Sequence, residues 1–449
     1  MKRLVLGWLL VCAAWQAEAQ GAAAATPEGA VLRLTLDEAV ALALNENPTV
    51  RIADMEVDRY DYVKRQTWGN LLPQISASGQ YSRSIVKSTM RGGISFGADN
   101  TFAVAGDVTL PLFAPQIYRT LKLNRAQMAS AVESARATRI DLAAEVKCCY
   151  YNILLLEQSL GVLLESERTI QQTVDETQLK YEHGLASEYD LLSVQVQLSN
   201  LRPSIIQAQN AIEVATLQLK MYLSVPEEVR IETVGELDAM RDAVFEGTNG
   251  LSTDLTDNST LKQLDLQYEQ MKLQLKTANA SRLPVVAAFG QASYTGNDMA
   301  PFLGLGADGD TSKYFWTHPI SVGVQISVPI FAGLTKMNQS RSIKNQMAQL
   351  DLQRTYAREQ IGVQLRNAMT TLFTSREQMY AQQTAVAQAE KAYSISQTRY
   401  NAGAGTMLEL NTAQLNLTQA RLSYSQTIYD YLSAQAEYDR ILGADPQAK

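Results

Sequence analysis

Residues able to do metal or nucleophilic chemistry are few and scattered in this sequence. His183 and His318 are the only histidines, and Cys12, Cys148 and Cys149 the only cysteines. No His/Cys group has the spacing of metal ligands. No phosphate-binding glycine loop, nucleophile elbow or Ser/His/Asp set stands out. Adjacent cysteines rarely bridge each other, so Cys148 and Cys149 read as two small apolar positions on a helix. What remains is electrostatic chemistry. Glu188 and Asp190 follow the turn at Gly184, and Glu409 follows the turn at Gly403 and Gly405. Acids at such places suit the positive end of a helix. The chain reads as a non-enzyme with no cofactor and no resident metal.

These two turns are copies of each other. Tyr181-x-x-Gly184 recurs 219 residues later as Tyr400-x-x-Gly403. LPLFA from Leu110 to Ala114 recurs 218 residues later as VPIFA from Val328 to Ala332. Leu72-Pro73 with Gly79-Gln80 recurs 211 residues later as Leu283-Pro284 with Gly290-Gln291. An offset that drifts slowly is expected of a duplicated unit whose loops changed length.

Long helices must carry the turns. Leu191, Val194, Leu198, Leu201, Ile205, Ala208, Ile212, Ala215, Leu219 and Tyr222 follow a 3-4 spacing. Their counterparts at offset 219 are Leu410, Ala413, Leu417, Ala420, Tyr424, Thr427, Tyr431, Ala434, Tyr438 and Ile441. Only Thr427 breaks the apolar or aromatic character, so both copies carry a heptad seam. No proline occurs from Gln116 to Arg202 or from Ile330 to Asp445. Met128, Val132, Ala135, Leu142, Val146, Cys149, Ile153, Leu156, Leu160 and Leu163 keep heptad spacing, with Arg139 as the break, and Met379, Val386, Tyr393 and Tyr400 stand seven apart. A helix over 116–181 would run about 100 Å at 1.5 Å per residue. Pro203 falls inside a seam that continues past it, which predicts a kinked helix there.

Each copy has two strand-like segments before its long helix. Ile320, Val322, Val324, Ile326 and Val328 alternate with Ser321, Gly323, Gln325 and Ser327, one apolar face against one polar face. The partner segment is Pro284 to Tyr294, and the first copy offers Pro73 to Ser82 and Thr101 to Leu112. Gly- and Asp-rich loops near Arg91 to Asn100 and Gly296 to His318 separate them. Trp68, Phe113, Phe315, Trp316 and Phe331 sit near strand ends, where an aromatic girdle would lie.

The N-terminus decides the compartment. Lys2 and Arg3, the apolar run Leu4 to Ala14 and the Ala17-Glu18-Ala19 site form a secretory signal peptide over 1–19. Val11 before Cys12 does not fit a lipoprotein signal. No later stretch is apolar enough for a helical span, so membrane insertion would need a closed β-barrel. Four strands cannot close one. Three copies give twelve strands and twelve helical passes about one axis, and two copies satisfy the same edge argument. A net charge of −7 argues against nucleic acid as a partner. With charged residues at 19%, Gln, Asn, Ser and Thr supply a neutral polar surface suited to a water-filled lumen or to ordinary solvated helix faces.

Together these features resemble the TolC family of outer-membrane efflux proteins. The resemblance rests on Leu36-Asp37-Glu38-Ala39 leading to Asn45-x-Asn47-Pro48, the two Leu-Pro strand starts, and the turns YEHGLASEYDLL and YNAGAGTMLELNTAQ. It implies a membrane α+β fold: a homotrimer with a 12-stranded β-barrel in the outer membrane of a Gram-negative-type bacterium, continued by a 12-helix periplasmic α-barrel. The expected layout is a first repeat over 20–226, with strands at about 73–112 and a helical hairpin at about 116–223. An acidic inter-repeat segment follows at 227–257, either an equatorial element or a solvated linker. The second repeat covers 258–443, with strands at about 284–330 and a hairpin at about 333–442, before a tail at 444–449.

The resemblance also implies partners and sites. A periplasmic adaptor (a membrane fusion protein), an inner-membrane pump of RND, ABC or MFS type and outer-membrane lipid would be the partners. Gly184, Leu185, Gly403, Ala404 and Gly405 fall where family members meet the adaptor, although Gly also serves a tight turn. Glu409 falls at the first of two family gate acids and Thr412 replaces the second; Asp190 takes the equivalent place in the first repeat, with Glu188 nearby. In a trimer Glu409 would form a ring of negative charge favouring cations. The expected role is a passive exit duct for small molecules, with type I protein secretion as the alternative. A trimeric surface adhesin is a remote one, because its strands would lie in one C-terminal block.

Overall fold

The computed structural model describes residues 31–86, 88–89, 95–240, 251–298 and 314–445. The expected leader, the middle of the acidic segment, the centres of both Gly- and Asp-rich loops and the last four residues of the tail lie outside the described residues. In chain order the elements are β1 (Val31–Leu34), α1 (Leu36–Glu46), α2 (Pro48–Gly69), β2 (Gln74–Arg83), β3 (Ser88–Thr89), β4 (Ser95–Phe96), β5 (Asn100–Phe113), α3 (Pro115–Glu182), α4 (Glu188–Leu223), β6 (Arg230–Thr233), α5 (Ser259–Ala280), β7 (Val285–Asn297), β8 (Phe315–Thr317), β9 (Ile320–Ser327), α6 (Thr335–Asn401) and α7 (Met407–Leu442).

The duplication is visible in the helices. α2 and α5 both have 22 residues, α3 and α6 have 68 and 67, and α4 and α7 both have 36. Each repeat therefore runs helix, two main strands, very long helix, shorter helix. The chain forms two compact units, one of Met1–Ala43, Val146–Arg241 and Gln382–Tyr429, the other of Leu44–Glu145, Asp242–Ala381 and Asp430–Lys449.

The second of these units holds the sheet. β2 pairs antiparallel with β5, β5 with β7, and β7 with both β9 and the short β8. β8 and β9 lie along the same edge of β7, so the two repeats contribute one continuous four-strand width. Because strand side chains alternate, register assigns the faces. Tyr81 opposes Phe102, Phe102 opposes Gly296, and Gly296 opposes Trp316. That face continues through Ile75 and Ala77, Val104 and Val108, Val286 and Ala288, and Ile320, Val322, Val324 and Ile326, with Arg83 its only charged strand residue, at a strand end. Ile320 and Val322 are 78% and 82% exposed within one chain. The opposite face carries Ser76, Ser78, Gln80, Asp107, Thr109, Gln291, Ser293, Ser321 and Gln325.

Aromatic side chains gather at one end of the apolar face. Tyr81 and Phe102 lie 4.8 Å apart between ring centres, and Tyr294 stacks on Trp316 at 4.8 Å. Trp316 lies across Gly296, where a Cβ would fall 2.5 Å from its ring. Asp298 closes the same end, accepting from the Asp99 and Asn100 amides at 2.7 and 3.1 Å. Of the aromatics expected at a girdle, Trp316 joins this band; Tyr81, Phe102, Tyr294 and Tyr314 join it unforeseen.

The helices of this unit are pinned at the end of α7. Asn258 caps α5 by accepting from the Leu261 amide at 3.0 Å and donates to the Ile441 carbonyl at 2.7 Å. Gly443 follows α7 at φ 76°, with the Asp257 carbonyl so close that a Cβ would meet it at 2.1 Å. Arg136 of α3 donates to the carbonyls of Gly443 and Asp257 at 3.0 and 2.6 Å. Arg139, which broke the heptad pattern, pairs with Asp54 of α2. Val132, expected in the seam, is half exposed, while Ala131 and Ala135 are buried.

In the other unit β1 and β6 form a parallel pair. Tyr150 of α3 is fully buried beneath it, its hydroxyl 2.9 and 2.8 Å from the carbonyl oxygens of Leu34 and Val234. Leu191, Val194, Leu198, Ile205, Ala215 and Leu219 of α4 are buried as the seam predicts, the Leu, Val and Ile side chains each worth about 1.5–3 kcal/mol. α4 runs unbroken through Pro203. It also carries a second stripe, Leu192, Val196, Ile206, Val214, Leu217 and Met221, exposed in the single chain. Cys149 is buried, its thiol directed at the Ala215 carbonyl, and burial pushes that thiol up to about 11.

Candidate functional site

Both repeats end their long helix with the same turn. Gly184 and Gly403 have φ 71° and 73°, a region that glycine enters without strain. In the first turn the Gly184 amide donates to the Tyr181 carbonyl at 2.9 Å and the Leu185 amide to that of Lys180 at 2.7 Å. In the second the Gly403 amide donates to Tyr400 at 3.1 Å and the Ala404 amide to Arg399 at 2.9 Å. The terminal carbonyls of α3 and α6 are thus satisfied by the turn itself. No heavy atom lies within 4 Å of a Cβ built on Gly184 or Gly403. At Gly405 the room is tight, with Arg399 Cβ and the Tyr400 nitrogen both at 3.2 Å. Leu185 is 79% exposed and Ala404 is also exposed.

The turns sit on an apolar cluster of Ile170, Val194, Leu198, Met407 and Leu410, with Val174, Leu201, Tyr393 and Tyr400 packed against it. Four helices of the unit therefore meet just behind the turns. Burial pushes the Tyr400 phenol above its ordinary value, and the Asp190 and Glu176 carboxylates add to the shift.

The acids are not equivalent. Asp190 is the third residue of α4 and belongs to a capping box. Its amide donates to Ser187 Oγ at 3.1 Å, and its carboxylate accepts from the Ser187 hydroxyl and amide at 2.7 and 3.3 Å. Glu409 is the third residue of α7, and its amide donates to Thr406 Oγ1 at 3.2 Å. Its carboxylate instead reaches Arg399 Nη1 at 3.7 Å. Arg399 is held to the turn through Nη2, which donates to the Ala404 carbonyl at 3.1 Å. Glu188 is exposed and has no hydrogen-bond partner among the described residues. Thr412 is exposed, its hydroxyl donating back to Leu408 at 2.7 Å.

Basic residues complete the turns. Lys180 precedes Tyr181 as Arg399 precedes Tyr400. Lys180 Nζ donates to Asn401 Oδ1 at 3.1 Å and lies 4.5 Å from the centre of the Tyr400 ring. Further along the helices Arg421 joins Glu165 at 2.7 Å and Glu390 at 2.9 Å. Beside it Ser166, Gln414 and Thr418 form a buried polar layer, Ser166 Oγ standing 3.0 Å from Thr418 Oγ1. Sequence reading missed these groups, though the repeated basic-Tyr pair was a usable signal.

Residues 39–224 and 251–444 match the family model described as outer membrane efflux protein. The alkaline protease secretion protein AprF of Pseudomonas aeruginosa is 23% identical over 426 residues, covering 91% of this chain and 86% of that protein. The toluene efflux pump outer membrane protein TtgC of Pseudomonas putida is 25% identical over 423 residues, covering 91% and 82%. The outer membrane protein TolC of Escherichia coli is 20% identical over 408 residues, covering 88% and 80%. Among solved structures, CusC superposes with a TM-score of 0.73 at 18% identity, covering 91% of each chain. The Campylobacter jejuni CmeC outer membrane channel gives a TM-score of 0.73 at 17% identity, covering 92% of this chain and 87% of that one. The sheet with one apolar face, the duplicated helical hairpins and the match of both repeats lead to one assignment: the chain belongs to the outer membrane efflux protein family, the TolC family its motifs resemble.

Proposed function

We propose that three copies of this chain form a passive exit duct, a 12-stranded barrel in the outer membrane continued by a 12-helix barrel in the periplasm. The observation that carries the reading is the sheet of β2, β5, β7 and β9. Its apolar face suits lipid and its polar face suits water, while β2 and β9 each leave one edge without a strand partner among the described residues. Open edges in hydrocarbon leave unsatisfied peptide groups at several kcal/mol each, so closure by sister chains is favoured. The exposed second stripe of α4 supports the same association, because a helix in a closed ring needs a seam for each neighbour.

In this reading the leader at 1–19 is removed, and the repeats at 20–226 and 258–443 each supply two strands and one hairpin. The turns at Gly184-Leu185 and Gly403-Ala404-Gly405 form the periplasmic tip and meet an adaptor that links the duct to an inner-membrane pump. Glu409, with Asp190, Glu188 and Thr412 nearby, borders the tip opening. The cargo is small molecules, including drugs, in keeping with the efflux relatives. Similarity to a protein named for protease secretion favours type I protein secretion as the second reading.

Mass measurement in detergent tests the assembly: a trimer is expected, and a folded monomer would overturn it. A deletion strain separates the cargoes. Dye accumulation that rises on deletion and falls again when this chain is re-expressed supports small-molecule efflux, whereas loss of a secreted protein from the medium supports the second reading. Cross-linked affinity purification then identifies the pump class.

A further inference from the structure

The polar face of the sheet is almost without charge, and this makes Asp107 conspicuous. Among the residues of β2, β5, β7, β8 and β9 on that face, every polar side chain is Ser, Thr, Gln or Asn except Asp107. Register sets it in a row of four strands: Ser76 opposes Asp107, Asp107 opposes Gln291, and Gln291 opposes Ser321. It lies midway along β5, away from the strand ends where charges usually reach water. No hydrogen bond or ion pair engages its carboxylate among the described residues, and no strand-borne cation shares its face. Neutral neighbours occupy the same row, so the fold at this level does not require a charge.

We propose that Asp107 is a specificity-determining residue inside the barrel, where three copies form a negative ring that favours cationic over anionic solutes. The inference rests on the trimeric barrel reading and deepens it. The ring belongs to the unit that holds the sheet, and the acids at the helical turns belong to the other unit. Its action is long-range and weak, set by field and not by contact. It should therefore extend about 30 Å at 0.01 M salt and only about 3 Å at 1 M. A carboxylate ring of this kind attracts cations and lowers the local concentration of anions.

The test uses the full chain reconstituted in planar bilayers. Asp107→Asn should lower the K+ over Cl− permeability ratio about threefold or more at roughly 0.01 M salt, with the difference vanishing near 1 M. Asp107→Ser, matching its row neighbours, should behave alike, and Asp107→Glu should keep the parental ratio. Measuring Asp107→Asn in a Glu409→Gln background separates the ring from the tip. An unchanged ratio for both neutral variants overturns the proposal, as does an equal loss in Asp107→Glu. Thiol labelling checks the barrel independently. Asp107→Cys should react with a membrane-impermeant sulfonate reagent above the background of the parental chain, and Val108→Cys should not. The reverse labelling pattern would sink the barrel faces themselves. Correct labelling with unchanged selectivity would remove only the role of Asp107.

Discussion

Replacing Glu409 with Gln separates the electrostatic from the structural role of the second turn. Glu409 stands 3.7 Å from Arg399, and the two side chains are 48% and 54% exposed. At that separation in water the attraction is about 1 kcal/mol. Exposed pairs return only about 0–1 kcal/mol once side-chain ordering is counted. Loss of the acid from the first turn of α7 removes a further ~0.3–1 kcal/mol. Both amounts are small beside the buried cluster of Ile170, Val194, Leu198, Met407 and Leu410, so the trimer should persist. The charge balance changes much more. Arg399 stays anchored to the Ala404 carbonyl, and each subunit then presents a cation with no acid beside it. Reversal potentials in a KCl gradient should move toward weaker cation preference in Glu409→Gln. Arg399→Gln should move them the other way, and the double variant should fall between. Identical potentials for parent and Glu409→Gln would refute placement of Glu409 on the ion path. Collapse of the trimer would show the side chain to be structural.

Tyr150→Phe removes a buried hydroxyl from beneath β1 and β6 and should cost about 1–3 kcal/mol, read as faster amide hydrogen exchange around Leu34 and Val234; unchanged exchange would show the hydroxyl to be dispensable. Gly443→Ala forces a left-handed φ on alanine against the Asp257 carbonyl, so the trimer should melt lower by more than the ~1–2 kcal/mol of φ strain alone, and an unaltered melting temperature would mean the junction yields. Gly403→Val meets no steric obstacle at its Cβ but does meet φ 73°, so co-purification of the adaptor should fall while the trimer survives; loss of the trimer would make turn geometry the residue's main role.

Local periodicity made much of this architecture readable. The seams over α4 and α7, the alternation in β9 and the repeated Tyr-x-x-Gly turns each express a rule acting within a few residues; the seams lie inside α4 and α7, the alternation fills β9 as far as Ser327, and the glycines fall between paired helices. Groups that meet across long sequence separations were not readable. Arg421 reaches Glu165 from 256 positions away, and Arg136 reaches the Gly443 carbonyl from 307. The aromatic band draws one ring from each of β2, β5, β7 and β8, with Tyr314 just before β8, so no segment displays it. Val132 shows another limit. Heptad spacing marks positions that can face a neighbour, while the partner elements of the fold decide which of them does: Ala131 and Ala135 are buried and Val132 is half exposed. The different engagements of Asp190 and Glu409 depend on the residues at the cap and on the reach of one extra methylene, which composition and spacing leave open.

The divergence between the two acids carries a consequence for the duplicated hairpins. Each hairpin starts its own helix, so the two third positions can be engaged differently while both helices still form. Ser187 and Asp190 form the reciprocal cap, whereas Thr406 accepts the Glu409 amide and the Glu409 carboxylate turns to Arg399 instead. In the first repeat the carboxylate is committed to helix initiation, whereas in the second it is committed to the basic residue of the turn. The two turns of one chain are thus alike in backbone and unlike in the pairing of their charges.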